Sequence, residues 1–147
     1  MLIAHVGIFR DKNGEMLIIP TWQQDGGPRL DSMQYSKLSS DYTEDEVGKK
    51  ILDSAEISRM NEQEDPEQDV CKEASGLKTW KAFQKKYENV MISVLDTGEW
   101  KIARFLKQKG HSYGLNKDEV DKYTRHYKEA LSAEELGKVV LEMFAMK

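Results

Sequence analysis

Two apolar, β-prone stretches, residues 2–10 and 15–19, are separated only by Asp11-Lys12-Asn13-Gly14. Asn-Gly in so short a connection predicts a hairpin, because both residues tolerate positive φ. Antiparallel pairing is thereby set at the start of the chain. Pro20 is expected to end the second strand, since it brings no N–H to the ladder. The same grammar returns at residues 89–95 and 99–106, rich in Val, Met and Ile and joined through Asp96-Thr97-Gly98.

Helical signals fall between and after these hairpins. Thr43-Glu44-Asp45-Glu46 is a capping-box pattern, and Val47, Ile51, Leu52 and Ala55 follow at helical spacing. This predicts a helix from residue 44 into the high fifties. Ser132-Ala133-Glu134-Glu135 repeats the box and opens a helix over about 133–146, with Leu136, Val140, Met143 and Phe144 inward. A shorter helix fits residues 77–87, and residues 120–128 read as a short strand for their aromatics and Thr. Gln23-Gln24-Asp25-Gly26-Gly27-Pro28 is a turn-rich loop. The expected fold is α+β, an antiparallel sheet built from hairpins with helices packed against it, in one domain over residues 1–147.

The two capped helix starts also match each other. Residues 43–52 and 132–141 align without gaps and share Glu46/Glu135, Gly48/Gly137, Lys49/Lys138 and Leu52/Leu141. Capping explains the Glu, but not a Gly that costs about 1 kcal/mol against Ala inside a helix. The expectation is that each Gly lets its helix approach a strand closely, so that both helices dock on the sheet alike.

Composition narrows the function classes. The 147 residues carry 22 basic and 26 acidic side chains, a formal net charge of −4. A nucleic-acid binder depends on neutralising phosphates with a basic excess, and the excess here has the opposite sign. A mean hydropathy of −0.69 gives no membrane-spanning stretch. Cys71 is the single cysteine, which fits a reducing compartment. The first ten residues lack a cationic segment and cleavage site, so the expected location is cytoplasmic.

Catalytic motifs do not assemble. Gly110-His111-Ser112-Tyr113-Gly114 spells G-x-S-x-G, but that elbow needs a buried strand before it, a helix after it, and an Asp and a distant His downstream. The preceding residues 104–109 are too polar for such a strand, and the downstream histidine, His126, is close in sequence. Residues 110–114 therefore read as a turn. His5, His111, His126 and Cys71 show no metal-ligand spacing, and no phosphate loop or dinucleotide fingerprint is present. No catalytic residue, metal or cofactor is assigned, and the profile is that of a binding protein rather than an enzyme.

Partner-binding candidates come from charge density and one aromatic. Glu62, Glu64, Asp65, Glu67 and Asp69 form a run with no interleaved base, and Asp41, Glu44 and Asp45 stand at a helix start taken to be near it. Such acids steer a basic partner. Trp22, beside the Gly-rich loop, is the candidate contact aromatic.

Several stretches together resemble the immunity proteins of bacterial contact-dependent growth inhibition systems. They are residues 6–10 and 17–20, Thr43-x-x-Glu46-x-Gly48, Trp80-x-x-Phe83, the 90–95/100–105 hairpin and Leu136-Gly137. The resemblance spans nearly the whole chain through soft patterns. It implies a cytoplasmic α+β protein that binds and neutralises the C-terminal toxin domain of an effector, commonly a nuclease. It also implies that a toxin hairpin can add to the sheet by β-augmentation, with neither nucleic acid nor membrane as partner. No residue role carries over from it. Two other readings stay open: a regulatory module binding a peptide or protein, and a small serine hydrolase using Ser112.

Overall fold

The computed structural model describes residues 1–24, 27–60, 63 and 69–146. Both hairpins form. β1 (Leu2–Asp11) pairs antiparallel with β2 (Met16–Gln23), and β1 also pairs with the later β5. Two short strands, β3 (Arg29–Asp31) and β4 (Ser36–Leu38), pair with opposite ends of β2. The chain then runs through α1 (Glu44–Ser58), α2 (Val70–Ser75) and α3 (Trp80–Lys86) into β5 (Tyr87–Leu95) and β6 (Trp100–Lys107). β7 (Tyr113–Gly114), α4 (Val120–Tyr123), β8 (Thr124–Tyr127) and α5 (Ala133–Phe144) complete it. The sheet order is β3-β2-β1-β5-β6-β7, with β8 on the outer side of β6, eight strands in all among the described residues. This is the α+β arrangement expected.

Pro20 does not end β2. Its carbonyl accepts from Ser32 N at 2.8 Å on the outer side, and a strand residue's N–H points the same way as its C=O. The missing donor therefore falls between β4, which pairs with residues 16–18, and β3, which pairs with residues 21–23. No ladder bond is lost. The 120–128 segment divides into one helical turn and a strand, because residues from Thr124 onward pair with β6. The expected 77–87 helix is shorter at both ends. Thr79 Oγ1 caps it by accepting from Ala82 N at 3.1 Å, and Tyr87 turns to extended backbone to begin β5.

The first face of the sheet is sealed. Ala4, Val6 and Ile8 from β1, Met16 and Ile18 from β2, Val90, Ile92 and Val94 from β5, and Ile102 from β6 pack against Val47, Ile51, Leu136, Val140 and Met143. Strand alternation puts every second residue on this face. Leu52 and Leu141 are only partly buried at its border.

Both long helices are capped by the expected hydroxyl, and at Thr43 the box closes, with Glu46 Oε1 accepting from Thr43 N at 3.4 Å. Thr43 Oγ1 accepts from Glu46 N at 3.1 Å, and Ser132 Oγ accepts from Glu135 N at 3.3 Å. The matched glycines do something other than expected. A Cβ on Gly48 would lie 1.6 Å from the Ala133 carbonyl oxygen, and one on Gly137 would lie 1.8 Å from that of Glu44. The close approach is between the two helices, reciprocally, and not between a helix and a strand. Each first turn sits where the other helix has no side chain.

The far end of α5 is held by a buried cation. Arg104 Nη1 donates to the Met143 and Phe144 carbonyls at 3.0 and 2.9 Å, and Nη2 donates to Glu88 Oε2 at 2.8 Å. A cation suits carbonyls at a helix C-terminus, where the helix dipole is negative. Among the described residues, no helix is long and apolar enough to cross a membrane.

Candidate functional site

The second face of the sheet is covered only in part. Phe9, Leu17, Ile19 and Tyr87 pack beneath α2 and α3, against Val70, Cys71, Ala74 and Phe83. Beyond that cluster the face opens into a cleft of about 280 Å³. Its floor is residues of the same alternation: Gly7 on β1, Ile19 and Thr21 on β2, Asn89 and Met91 on β5, and Phe105 on β6. The edge strands bound it, with Asp31 of β3 on one side and Tyr113 of β7 on the other. Trp80 of α3 and the His111-Ser112 turn complete the walls.

Each wall is fixed locally. Trp80 is 37% exposed and stands edge-to-face on the buried Phe83, with ring centroids 5.4 Å apart. The Tyr113 hydroxyl donates to the Tyr87 carbonyl at 2.9 Å, which ties the β6–β7 turn back over the sheet. Gly7 keeps the floor low. A Cβ there would meet the Phe9 ring at 3.1 Å and Met91 Sδ at 3.4 Å. Asn89, 1% exposed, donates from Nδ2 to the Ile8 carbonyl at 3.0 Å and so is satisfied within the sheet.

Electrostatically the cleft favours neutral groups at its margin. Burial pushes the Asp31 carboxyl above the ordinary carboxylate range, partly opposed by the Cys71 thiol, which donates to it at 3.5 Å. Burial and the neighbouring acids in turn push that thiol well above its usual value, so Cys71 is not a thiolate nucleophile. His5, on the same sheet face, is lowered to about 4 by burial and then by Arg29. An apolar floor with a few placed polar groups is the usual make-up of a site that takes side chains or small ligands.

The G-x-S-x-G stretch is a β-turn connection, as expected. Gln108 N donates to the Ser112 carbonyl at 2.9 Å, Gly110 and His111 have φ of 81° and 66°, and β7 rather than a helix follows. His126 pairs across from Lys101, at the opposite end of β6 from Ser112. Among the described residues, no group of three or more His, Cys, Asp or Glu is placed to hold a metal ion.

The candidates drawn from charge density scatter. Trp22 is 3% exposed, so the surface contact imagined for it is not available; the exposed tryptophan is Trp80. Trp22 lies within β2 past Pro20, paired with Leu30, and the strand extension is what buries it. Asp41 is exposed and accepts from the Ser39 hydroxyl. Glu44 is exposed and Asp45 half-buried in the first turn of α1, where Asp45 pairs with Lys49 at 2.9 Å. Asp69 caps α2, accepting from Lys72 N at 3.1 Å. It acts electrostatically on Asp31 and starts a helix of the second face, whereas residues 41–45 lead into α1 on the first. Asp69 and residues 41–45 therefore lead into helices on opposite faces of the sheet. Glu62, Glu64, Asp65 and Glu67 lie outside the described residues.

Gly7, Met91, Phe105 and Tyr113 were not singled out in the sequence, although a Gly inside a branched and aromatic strand is a known sign of close packing on a sheet. No family model and no curated protein matches the chain. Solved structures do. One is a protein of unknown function from Neisseria meningitidis, with a TM-score of 0.71 at 17% identity, covering 97% of this chain and 93% of that one. Another is a chain of the CdiA-CT/CdiI toxin and immunity complex from Yersinia pseudotuberculosis, with a TM-score of 0.67 at 14% identity over 99% and 98% of the two chains. At these identities the likeness establishes the fold, and it is one that a toxin and immunity complex also contains.

Proposed function

We propose that this protein is a cytoplasmic immunity protein. It binds and neutralises the C-terminal toxin domain of a contact-dependent growth inhibition effector, a nuclease in our reading, and has no catalytic activity of its own. The observation that carries the reading is the end-to-end fold likeness to a chain of a toxin and immunity complex. The half-covered sheet face supports it, because an apolar cleft flanked by Trp80, Phe105 and Tyr113 suits anchor side chains from a protein. The short edge strands β3 and β7 both border this cleft. A partner strand added to either edge would therefore deliver alternate side chains into it. The acidic balance, 26 acids against 22 bases, speeds encounter with a basic nuclease.

The test is to look for a toxin domain encoded beside this gene and to co-express the two. Protection of the host cell and a stable one-to-one complex are expected. A toxin that kills equally with and without this protein overturns the reading. Within a confirmed complex, Met91→Arg or Phe105→Arg places a charge on the cleft floor and should abolish binding without unfolding. Unchanged binding by both would move the interface away from this face.

A further inference from the structure

The larger cavity, about 510 Å³, lies elsewhere, at the end of the sheet between the β1–β2 turn, the last turn of α3 and the C-terminus of α5. Arg10, Lys12, Lys85 and Lys86 line it together with Asp11 and Glu88. The two acids offset only part of that charge, and Glu88 is shared with cations outside the lining. Asp11 Oδ1 accepts from Asn13 N and Glu15 N at 2.9 and 3.0 Å. Glu88 is paired with Arg104 at 2.8 Å and with Lys107 at 3.2 Å. The four cations, by contrast, have no ion-pair partner among the described residues. Arg10 donates Nε to the Tyr42 hydroxyl at 2.9 Å, and Lys86 lies 5.3 Å from the Tyr87 ring centroid. Neither contact neutralises a charge.

A protein of net charge −4 thus holds a concave site of surplus positive charge. Four cations so close together repel one another, and that repulsion is relieved when an anion enters. Phe144 and Ala82 give the cavity apolar wall as well. That mix favours a carboxylate on an aliphatic stem, Asp or Glu on a folded chain, over a phosphate backbone, which brings no apolar stem to lie against Ala82 and Phe144. We infer that this cavity receives an acidic segment of the protein partner, a second contact separate from the apolar cleft. The inference rests on the immunity reading for the partner's identity, and gives the toxin domain an acidic projection on an otherwise basic surface.

Lys85 and Lys86 are exposed in the last turn of α3, so Lys85→Glu with Lys86→Glu should keep the fold and lower the melting temperature by only a few degrees. Two titrations of wild type and this double variant test the proposal. In the first, the probe is a hexaglutamate peptide, with sodium phosphate and a single-stranded oligonucleotide as alternatives, followed by amide shifts at residues 10–13 and 82–88. The second measures affinity for the toxin domain at low and high salt. Support is peptide binding that shifts these amides in wild type only, with toxin affinity lowered about tenfold or more and less salt-dependent in the variant. Preference for phosphate or oligonucleotide over the peptide overturns the acidic-segment assignment. Equal toxin affinity for wild type and variant overturns it too, while leaving the immunity reading standing. If wild type fails to bind the toxin at all, that reading falls, and the peptide titration alone then decides the chemistry of the cavity.

Discussion

The two faces of the sheet are built from the same strands, residue by residue in alternation, yet they do opposite jobs. On the first, Ile8, Ile18, Ile92 and Ile102 are fully buried beneath α1 and α5. On the second, Thr21, His5, Met91, Ser93 and Phe105 are half-buried, because α2 and α3, of six and seven residues, are too short to roof the sheet. The first face is closed by a helix pair that touches backbone to backbone at Gly48 and Gly137. The second is walled by single side chains, Trp80 and Tyr113, standing at its margin. On the proposed reading, stability belongs to the first face and partner recognition to the second.

That contrast can be challenged by mutation, and the largest effect belongs to the helix pair. Gly48→Ala or Gly137→Ala would push a methyl into a backbone carbonyl, which cannot move aside like a flexible side chain. Each should cost about 3 kcal/mol or more, a fall of roughly 10 °C in melting temperature for a chain of this size. Calorimetric melting at wild-type temperature for both would show that the helices do not cross as described.

Adjacent residues on β5 give the next comparison. Ile92→Ala, on the sealed face, should lose about 2–5 kcal/mol through a buried cavity. Met91→Ala, on the open face, should lose less than about 1 kcal/mol. Equal losses in urea unfolding would mean that the second face is as tightly packed as the first.

A smaller effect is a pH signature of the open face. His5 is held neutral in the fold, its pKa lowered from 6.5 to about 4, so between those values the unfolded chain binds more protons. Stability from this residue is complete above pH 6.5 and is lost as pH falls toward 4. Asp31, whose pKa is raised by burial, works in the opposite sense, gaining stability as it protonates. Subtracting the pH profile of His5→Asn from that of wild type isolates the histidine. The difference should reach on the order of 1–2 kcal/mol between pH 7 and pH 4. A flat difference would mean that His5 is as hydrated in the fold as out of it.

The smallest expected effect is at the turn. Ser112→Ala should change stability by no more than about 0.5 kcal/mol and leave protection against the toxin intact. Loss of protection with unchanged folding would restore a chemical role to this serine.

Local signals carried most of the element positions. Both hairpins follow from turn residues between β-prone runs, and both long helices follow from a Ser or Thr three residues ahead of a Glu. Each involves residues within a few positions of one another, where backbone sterics and capping bonds act without help from the rest of the chain. The same kind of reading went astray wherever the partner was distant. Pro20 breaks strands on average, but its missing donor costs nothing where two short strands leave a gap beside it. Trp22 borders a loop in sequence, yet it is buried because β2 continues to Gln23 and finds β3. The paired glycines were recognised as a pair, while their purpose needed both helices in place.

The site was harder to read for the same reason. Gly7, Asn89, Phe105 and Tyr113 come together only once β1, β5, β6 and β7 are in register. The basic cavity likewise gathers Arg10 and Lys12 from a turn with Lys85 and Lys86 from a helix end, within a chain whose total charge points the other way. Near-neighbour chemistry was enough for the two hairpins and the two long helices, because torsional preference, turn residues and capping act between residues a few positions apart. The short strands β3, β4 and β7, by contrast, form only against a partner strand. Tertiary structure decided which face stays open, which tryptophan is exposed and where the positive charge collects. Those depend on side chains far apart in the chain, and only the packing of the sheet brings them within contact distance.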